Sequence, residues 1–259
     1  MRDMMIRLCN LKLHRSKQLA GLALIVILIS GCAKAGPLQT WSESVELAEA
    51  KSARVELRLG AGEFKVSDGA EDLLDATFVT NVAEWEPQLT YEVSDQQGRL
   101  RIQQPRREIE DINLWSLIRS ADNLEHVRNS WDLQLNRHVP IDLDIAMGAG
   151  TSELKLGGLT LTHLEIAMGA GEMEVDLTGD WQHDLEALIQ GGVGEITVRL
   201  PSNVGVRVEA QQGGIGEINA QGLKREGRAY VNDAYGQSDV TLRLRVNGGI
   251  GEINLISSG

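Results

Sequence analysis

The stretch IDLDIAMGAGTSELKLGGLTLTHLEIAMGAGEMEVD, residues 141–176, contains one structural unit twice. In each copy, apolar residues alternate with polar ones, run into the tetrad MGAG, and resume their alternation after it. A period of two places every second side chain on one face of a strand, and the glycines between two such runs favour a sharp turn. The stretch therefore predicts strand–turn–strand units rather than helices.

The same unit recurs along most of the chain. Six glycine tetrads, LGAG, MGAG, MGAG, GGVG, GGIG and GGIG, end at Gly62, Gly150, Gly171, Gly194, Gly216 and Gly251. From Gly150 onward they are 21, 23, 22 and 35 residues apart, and a fixed period of about 20–30 residues is typical of stacked-coil proteins. Glycine suits a coil corner because it accepts positive φ and allows close backbone approach. We expect an all-β fold, a stacked-coil β-solenoid with these six glycines at its corners.

The apolar residues keep one phase relative to the tetrads. They lie five and seven positions before the last glycine and two and four positions after it, as do Leu143, Ile145 and Leu154 around Gly150. Before Gly216 the apolar set is one position out of step, at Val204, Val206, Val208 and Ala210. A β-bulge or a longer turn would absorb this slip, unless the alignment of that unit is wrong. The long last interval is assigned to a polar loop at 222–239.

The amino terminus has the pattern of a secretory signal. Residues 1–18 carry five basic residues and one acidic residue, and residues 19–30 form an uncharged, mostly apolar run of twelve. This run is too short to span a membrane, for which about 20 residues are needed. It ends in Ile29-Ser30-Gly31-Cys32, which resembles the lipobox of bacterial lipoproteins. The resemblance implies a signal peptide at 1–31, cleavage before Cys32, and acylation of that cysteine as a membrane anchor. We assign residues 32–41 to the lipidated terminus and a linker.

Charge and cysteine content exclude several classes of function. The chain has 25 basic and 37 acidic residues; removing 1–31 leaves 25 − 5 = 20 and 37 − 1 = 36, a net charge near −16. Such an acidic protein is not expected to bind nucleic acid. Cys32 is the only cysteine left after cleavage, so no disulfide within the chain is expected. We expect no cofactor and no metal.

One segment departs from the repeat. Between residues 106 and 129, Ile109, Ile112, Trp115, Ile118 and Val127 recur at steps of three residues or a multiple of three, without glycine or proline. This spacing predicts a short helical insertion, between an N-terminal β region at 42–105 and the repeats at 130–259. A helix covering an open sheet edge is favoured over a membrane- or partner-facing helix, because the segment is not strongly basic.

Several stretches resemble the toast-rack family of bacterial envelope proteins. They are VELRLGAGEFKVSDGA at 55–70, EWEPQLTYEVSDQQGRLRI at 84–102, SWDLQLNRHVPIDLDIAMGAG at 130–150 and AYVNDAYGQSDVTLRLRVNGGIGEINL at 229–255. The resemblance implies a β-helix-like solenoid and kinship with the LiaF-like proteins, which attend cell-envelope stress signalling. It implies no catalytic residues.

Glutamate follows the tetrads in a regular way. It directly follows five of the six, at Glu63, Glu172, Glu195, Glu217 and Glu252, and Thr151 breaks the series. Coils stacked in register would place Glu172, Glu195 and Glu217 in a row, roughly 5 Å apart. Such a row is either a ladder that binds cations or a basic partner, or a solvated rim with basic neighbours. The rim is favoured, since one carboxylate per coil supplies too few oxygens for calcium.

These features favour a non-catalytic, membrane-anchored envelope module for interaction or stress response. Its expected partners are the membrane, through the lipid, and an envelope protein or cell-wall polymer. Ala33 is not aspartate, so sorting to the outer membrane is expected in a two-membrane bacterium, and the outer face of the plasma membrane otherwise. One alternative is a carbohydrate-active enzyme, which needs paired carboxylates and a tryptophan subsite. The other is a structural, self-associating lipoprotein whose terminal coil at 246–255 offers an open strand edge.

Overall fold

The computed structural model describes residues 35–105 and 127–257, and strands make up most of both ranges. The strands are β1 (Gln39–Val45), β2 (Ser52–Asp68), β3 (Leu74–Thr80), β4 (Gln88–Ser94), β5 (Gln97–Gln103), β6 (Asn129–Leu135), β7 (Ile141–Lys155), β8 (Leu161–Asp176), β9 (Leu185–Leu200), β10 (Gly205–Gln212), β11 (Gly216–Gln221), β12 (Lys224–Glu226), β13 (Ala229–Val231) and β14 (Thr241–Ser257). A 3-10 turn spans Ala83–Trp85. Within these two ranges, no helix has the length and apolarity needed to cross a membrane.

Each long strand carries a glycine tetrad at its middle. In β7, Leu143 and Ile145 are buried before the tetrad and Leu154 after it, so the buried positions change from odd to even at Gly150. Residues from both sides of the tetrad belong to one apolar core. The tetrad is therefore a corner that turns the two halves of the strand toward the same interior. We call the half before the corner the first arm and the half after it the second arm.

The long strands stack side by side in parallel. The sheet order runs β2, β7, β8, β9, β14 and β10, and β11 continues the second arm beside β14. At the other end, β5 and β4 extend the first arm of β2, whereas β6, β3 and β1 extend its second arm. Stacked rungs of this kind each bury what the next one would expose. The predicted all-β solenoid is confirmed.

Among the rungs from β2 to β10, the stacking order differs from the chain order at one point. The last long strand, β14, lies between β9 and the β10–β11 rung, and Val246 and Leu255 are fully buried. The prediction of an open edge at 246–255 is therefore wrong. The predicted polar loop at 222–239 is also wrong, because it contains β12 and β13, which form a hairpin that pairs with β10. The hairpin lies on the outer side of β10, and residues 232–240 then connect it to β14 on the inner side of β10.

The phase slip before Gly216 is a bulge. Gln212 pairs with Gly248 and Gly216 pairs with Gly251, so four steps along the β10–β11 rung match three steps along β14. The extra residue leaves the ladder between the two strands, as one expects of a bulge. It also turns Ile215 outward, where its side chain is 82% exposed.

Two predicted boundaries move. Strand β1 begins at Gln39, inside the stretch assigned to a linker, because Trp41 packs against Phe78 with ring centroids 5.8 Å apart. Strand β6 begins at Asn129, so the predicted helix does not extend to that residue; the Asn129 amide donates a 2.6 Å hydrogen bond to the Ala61 carbonyl. Residues 106–126 of the predicted insertion lie outside the described ranges, as do residues 1–34.

Candidate interaction surface

The six predicted corner glycines lie in one column. Gly62 pairs with Gly150, Gly150 with Gly171, and Gly171 with Gly194. Gly194 then pairs with Gly251, and Gly251 with Gly216. The corners of these six rungs are thus in register, which gives the protein a continuous ridge.

Close backbone approach explains why this column is glycine. A Cβ atom built on Gly171 would overlap the carbonyl oxygen of Gly150, and one built on Gly251 would overlap the carbonyl oxygen of Gly194. The two glycines also have φ of 129° and 134°, which residues with a Cβ rarely adopt. A side chain at either position would therefore push two rungs apart.

The glutamates that follow the corners form a row along the ridge. In spatial order the row reads Glu63, Thr151, Glu172, Glu195, Glu252 and Glu217. The order differs from the expected run of Glu172, Glu195 and Glu217, because β14 places Glu252 between the last two. Like charges on adjacent rungs repel each other mildly in water, so neighbouring groups must offset this repulsion.

Hydroxyl and side-chain amide groups offset part of this repulsion. The Thr197 hydroxyl and the Asn254 amide donate to Oε1 of Glu195 at 3.1 and 2.8 Å. The Asn219 amide donates in turn to the Asn254 side-chain oxygen at 3.0 Å. These three residues occupy equivalent positions on adjacent rungs, so a second polar column supports the acidic row.

A shallow groove of about 280 Å³ lies along the second arms. Its lining includes Glu63, Glu172 and Glu195 from the acidic row, together with Lys65 and Glu153 from the column beside it. Glu153 binds two lysines: its oxygens lie 2.6 Å from Lys155 Nζ and 3.4 Å from Lys65 Nζ. The hydrogen bond from Lys155 holds the pKa of the Glu153 carboxyl below its ordinary value. The groove is therefore acidic with basic groups at its margin.

The groove does not gather the ligands of a metal site. In the two described ranges, no three histidine, cysteine, aspartate or glutamate side chains are placed to hold one ion. Adjacent carboxylates of the row stand one rung apart, and strands of a sheet are about 4.8 Å apart, whereas calcium binds six to eight convergent oxygens. The geometry favours a solvated, partly compensated rim.

Sequence comparison agrees with this architecture. Residues 34–199, more than half of the chain, match the family model described as the N-terminal domain of toast_rack, DUF2154. The chain belongs to the toast-rack family. Among curated proteins, none matches it.

One solved structure is similar to this chain in both sequence and fold. A candidate cell adhesion protein from Clostridium sporogenes ATCC 15579 is 30% identical, with a TM-score of 0.79, and the match covers 86% of this chain and 100% of that one. A candidate adhesin from Bacteroides fragilis NCTC 9343 is 10% identical, with a TM-score of 0.28 over 85% and 97% of the two chains. A candidate adhesin from Parabacteroides distasonis ATCC 8503 is also 10% identical, with a TM-score of 0.26 over 84% and 97%. Only the first of these is similar enough to support an argument.

A network of ion pairs on the first arms of the toast-rack chain was not predicted. Arg58 binds both carboxylate oxygens of Asp144, one at 2.8 Å, and Arg54 binds Asp142 at 3.1 Å. Glu56 accepts from Arg101 at 2.6 Å. The sequence signal is an Arg-x-Glu-x-Arg run at 54–58 and an Asp-x-Asp run at the matching positions of the next rung, which become partners only when the register is known.

The Arg58–Asp144 pair makes stability depend on pH. The guanidinium of Arg58, by hydrogen bonding, holds the pKa of the Asp144 carboxyl below its ordinary value, although partial burial opposes this. A carboxyl whose pKa is lower in the folded state stabilises the protein above its unfolded pKa of about 4, and this contribution is lost as the pH falls through the folded value. We expect Asp144→Asn to reduce the free energy of unfolding by about 1–2 kcal/mol at pH 7. Thermal melts should show the difference shrinking toward pH 3.

A matched control is Asp233→Asn. Asp233 accepts from Lys224 at 2.6 Å, but their side chains are 83% and 77% exposed. Exposed pairs contribute little, so this variant should melt close to the wild type at both pH values. If Asp144→Asn behaved in the same way, the pair would have no role in stability.

The other candidate residues do not gather in one place. Trp131 and Trp181 are buried, Trp41 and Trp85 are half-buried at other positions, and Trp115 lies outside the described ranges. None of the described tryptophans lines the groove. Cys32 and its lipobox, Ile29, Ser30 and Gly31, also lie outside the described ranges and stay a prediction.

Proposed function

We propose that this toast-rack protein is a lipid-anchored, non-catalytic interaction module of the bacterial envelope. The observation that carries the proposal is the in-register ridge, because corners flush from rung to rung leave a long side surface available for contacts. The relative from Clostridium sporogenes, described as a candidate cell adhesion protein, supports a role of this class. The proposed location is the outer membrane, or the outer face of the plasma membrane in a cell with one membrane.

The enzymatic alternative is less well supported by the groove. A retaining or inverting glycosidase needs two carboxylates about 5–10 Å apart across a bound sugar. The groove offers carboxylates of several rungs, but they line one open, shallow surface, and among the described residues Phe64 is its one aromatic lining residue. Sugar-binding subsites use exposed aromatic faces, and Phe64 is 1% exposed.

The lipid anchor can be tested through Cys32. We expect Cys32→Ser to abolish labelling of the protein by radioactive palmitate and to release it from the membrane fraction, because the thiol that would carry the diacylglycerol is gone. Cys9→Ser is the matched control, since Cys9 would leave with the signal peptide and should not affect labelling. Unchanged labelling of the Cys32 variant would refute the anchor.

The proposed link to envelope stress rests on kinship with the LiaF-like proteins. Deletion of the gene should alter the output of an envelope-stress reporter in cells treated with cell-wall antibiotics. Cross-linking in intact envelopes, followed by purification of the protein, would then identify the partner. Unchanged reporter output would restrict the role to adhesion or architecture.

A further inference from the structure

The two arms of the last rung end differently. On the first arm, β13 pairs with the outer edge of β10 at Arg207 and Val208, and β12 pairs with β13. On the second arm, β11 pairs with β14 on one side, and no strand of the described ranges pairs with its other side. Within the described ranges, the β12–β13 hairpin therefore covers the outer edge of the first arm, whereas the outer edge of the second arm, strand β11, is unpaired.

Two apolar side chains are exposed at the corner beside the open edge, Ile215 before β11 and Ile250 in β14. Ile215 and Ile250 are 82% and 52% exposed, and they lie next to each other, because the Gly251 amide donates to the Ile215 carbonyl at 2.9 Å. Ile218 is only half-buried, although its partner in β14, Ile253, is fully buried. Terminal rungs of solenoids normally end in a polar cap, and unpaired edges are normally protected. This edge has one charged residue, Glu217.

We propose that the edge of β11 binds one extended segment of a partner polypeptide, which adds to the sheet as a further strand. The proposal deepens the interaction role above and rests on it. Main-chain hydrogen bonds would supply affinity, and side-chain contacts would supply specificity, as in other cases of strand addition. The strand of six residues, Gly216–Gln221, offers an edge about 20 Å long.

The arrangement of the two arms favours a single strand over a second copy of the chain as the occupant of this edge. The vacant position on the second arm lies across the core from β13. In a second copy that paired through its own β11, the attached strand β10 would have to lie beside β10 of the first copy. That position is already occupied by β13. An isolated extended segment has no first-arm strand attached to it and so does not clash with β13.

The chemistry of the edge describes the segment it binds. Glu217 and its neighbour Glu252 place negative charge beside the corner, so a lysine or arginine in the segment would face Glu217 favourably. An apolar side chain would cover Ile215 and extend the core beyond Ile218. A segment running parallel to β11 would need a glycine beside Gly216, because a Cβ at each corner of the stack overlaps the carbonyl oxygen of the previous rung.

A suitable probe copies the natural neighbour of β11. It is a synthetic peptide with the sequence of Gly248–Leu255 carrying the change Glu252→Lys, which keeps the glycines and the inward-facing Ile253 and Leu255. We expect this peptide to bind the purified protein and to slow amide hydrogen exchange at residues 216–221. The unchanged peptide should bind several-fold more weakly, because its glutamate would face Glu217. Failure of the lysine peptide to bind, or binding without protection of residues 216–221, would overturn the proposal.

A pair of variants tests the position of the site. Ile215→Lys should weaken binding of the lysine peptide about tenfold, since it removes a buried contact and adds a like charge. Leu38→Lys is the control: Leu38 is 61% exposed at the opposite end of the stack, and its variant should bind as the wild type does. Equal binding by both variants would refute the site, as would dimerisation of the purified protein through β11 in sedimentation experiments. In those cases, the Ile215→Lys protein would still cross-link to the same partners as the wild type in intact envelopes if the proposed interaction role is correct but does not use this edge.

Discussion

Gly171→Ala should be among the most destabilising single changes in the protein, reducing the free energy of unfolding by about 4 kcal/mol or more. The new Cβ would overlap the Gly150 carbonyl oxygen, and the backbone at φ 129° would be strained as well. Relief would require the β7 and β8 rungs to separate, and this would break main-chain hydrogen bonds on both sides of the corner. Chemical denaturation followed by circular dichroism measures the loss.

Gly227→Ala separates the two causes. Gly227 has a φ of 60°, and a Cβ there would find nothing within 4 Å. Only the conformational cost then applies, about 1–2 kcal/mol for a left-handed residue. If Gly171→Ala were no more destabilising than Gly227→Ala, close approach of the rungs would not be the reason for glycine in this column.

The corners could be predicted because their signal is local. Each tetrad interrupts period-two alternation in the same way, and the residues counted from it, such as Leu143, Ile145 and Leu154, are buried as expected. The one-residue slip before Gly216 was visible for the same reason, since it changes which face of the strand is apolar. Local patterning therefore predicted the rung and its corner, and it located the slip, for which a β-bulge was one of the alternatives.

The order of the last two rungs could not be predicted from that pattern. The heptad GGIGEIN occurs at 213–219 and again at 248–254, so either copy could have paired with β9. The distinction depends on contacts made only in the fold. Asp184 accepts from the Thr241 amide and from Arg243, both at 2.8 Å, and thereby fixes the start of β14 beside β9. This order decides which strand forms the open edge. For this reason the sequence pattern predicted the edge in β14 rather than in β11.

The sequence predicted which residues form the acidic row, but it did not predict their spatial order. Its spacing comes from the stack, but its support by Thr197, Asn254 and Asn219 depends on which rungs are adjacent. The ion pair of Arg58 with Asp144 is similar, because it links side chains 86 positions apart. Charged partners on a sheet face become recognisable only once the register is set.

Trp131→Ala should reduce the free energy of unfolding by about 3–5 kcal/mol. Trp131 is fully buried on β6, with ring centroids 5.3 Å from Phe78 and 6.1 Å from Phe64. These rings join β3 and β6 to the second arm of β2, where the short strands replace the regular stack. A cavity at this junction would loosen the end of the molecule that holds the first described residues, and thermal unfolding should detect it.

Trp131→Phe distinguishes packing from hydrogen bonding at the same position. The indole Nε1 of Trp131 is buried without a hydrogen-bond partner among the described residues, and an unpaired buried donor is itself unfavourable by about 1–3 kcal/mol. Phenylalanine leaves a smaller cavity than alanine and removes that donor, so the two effects oppose each other, and we expect a net loss below about 1.5 kcal/mol. A loss as large as that of Trp131→Ala would mean that the indole nitrogen contributes to stability, and that the aromatic contacts alone do not hold this junction together.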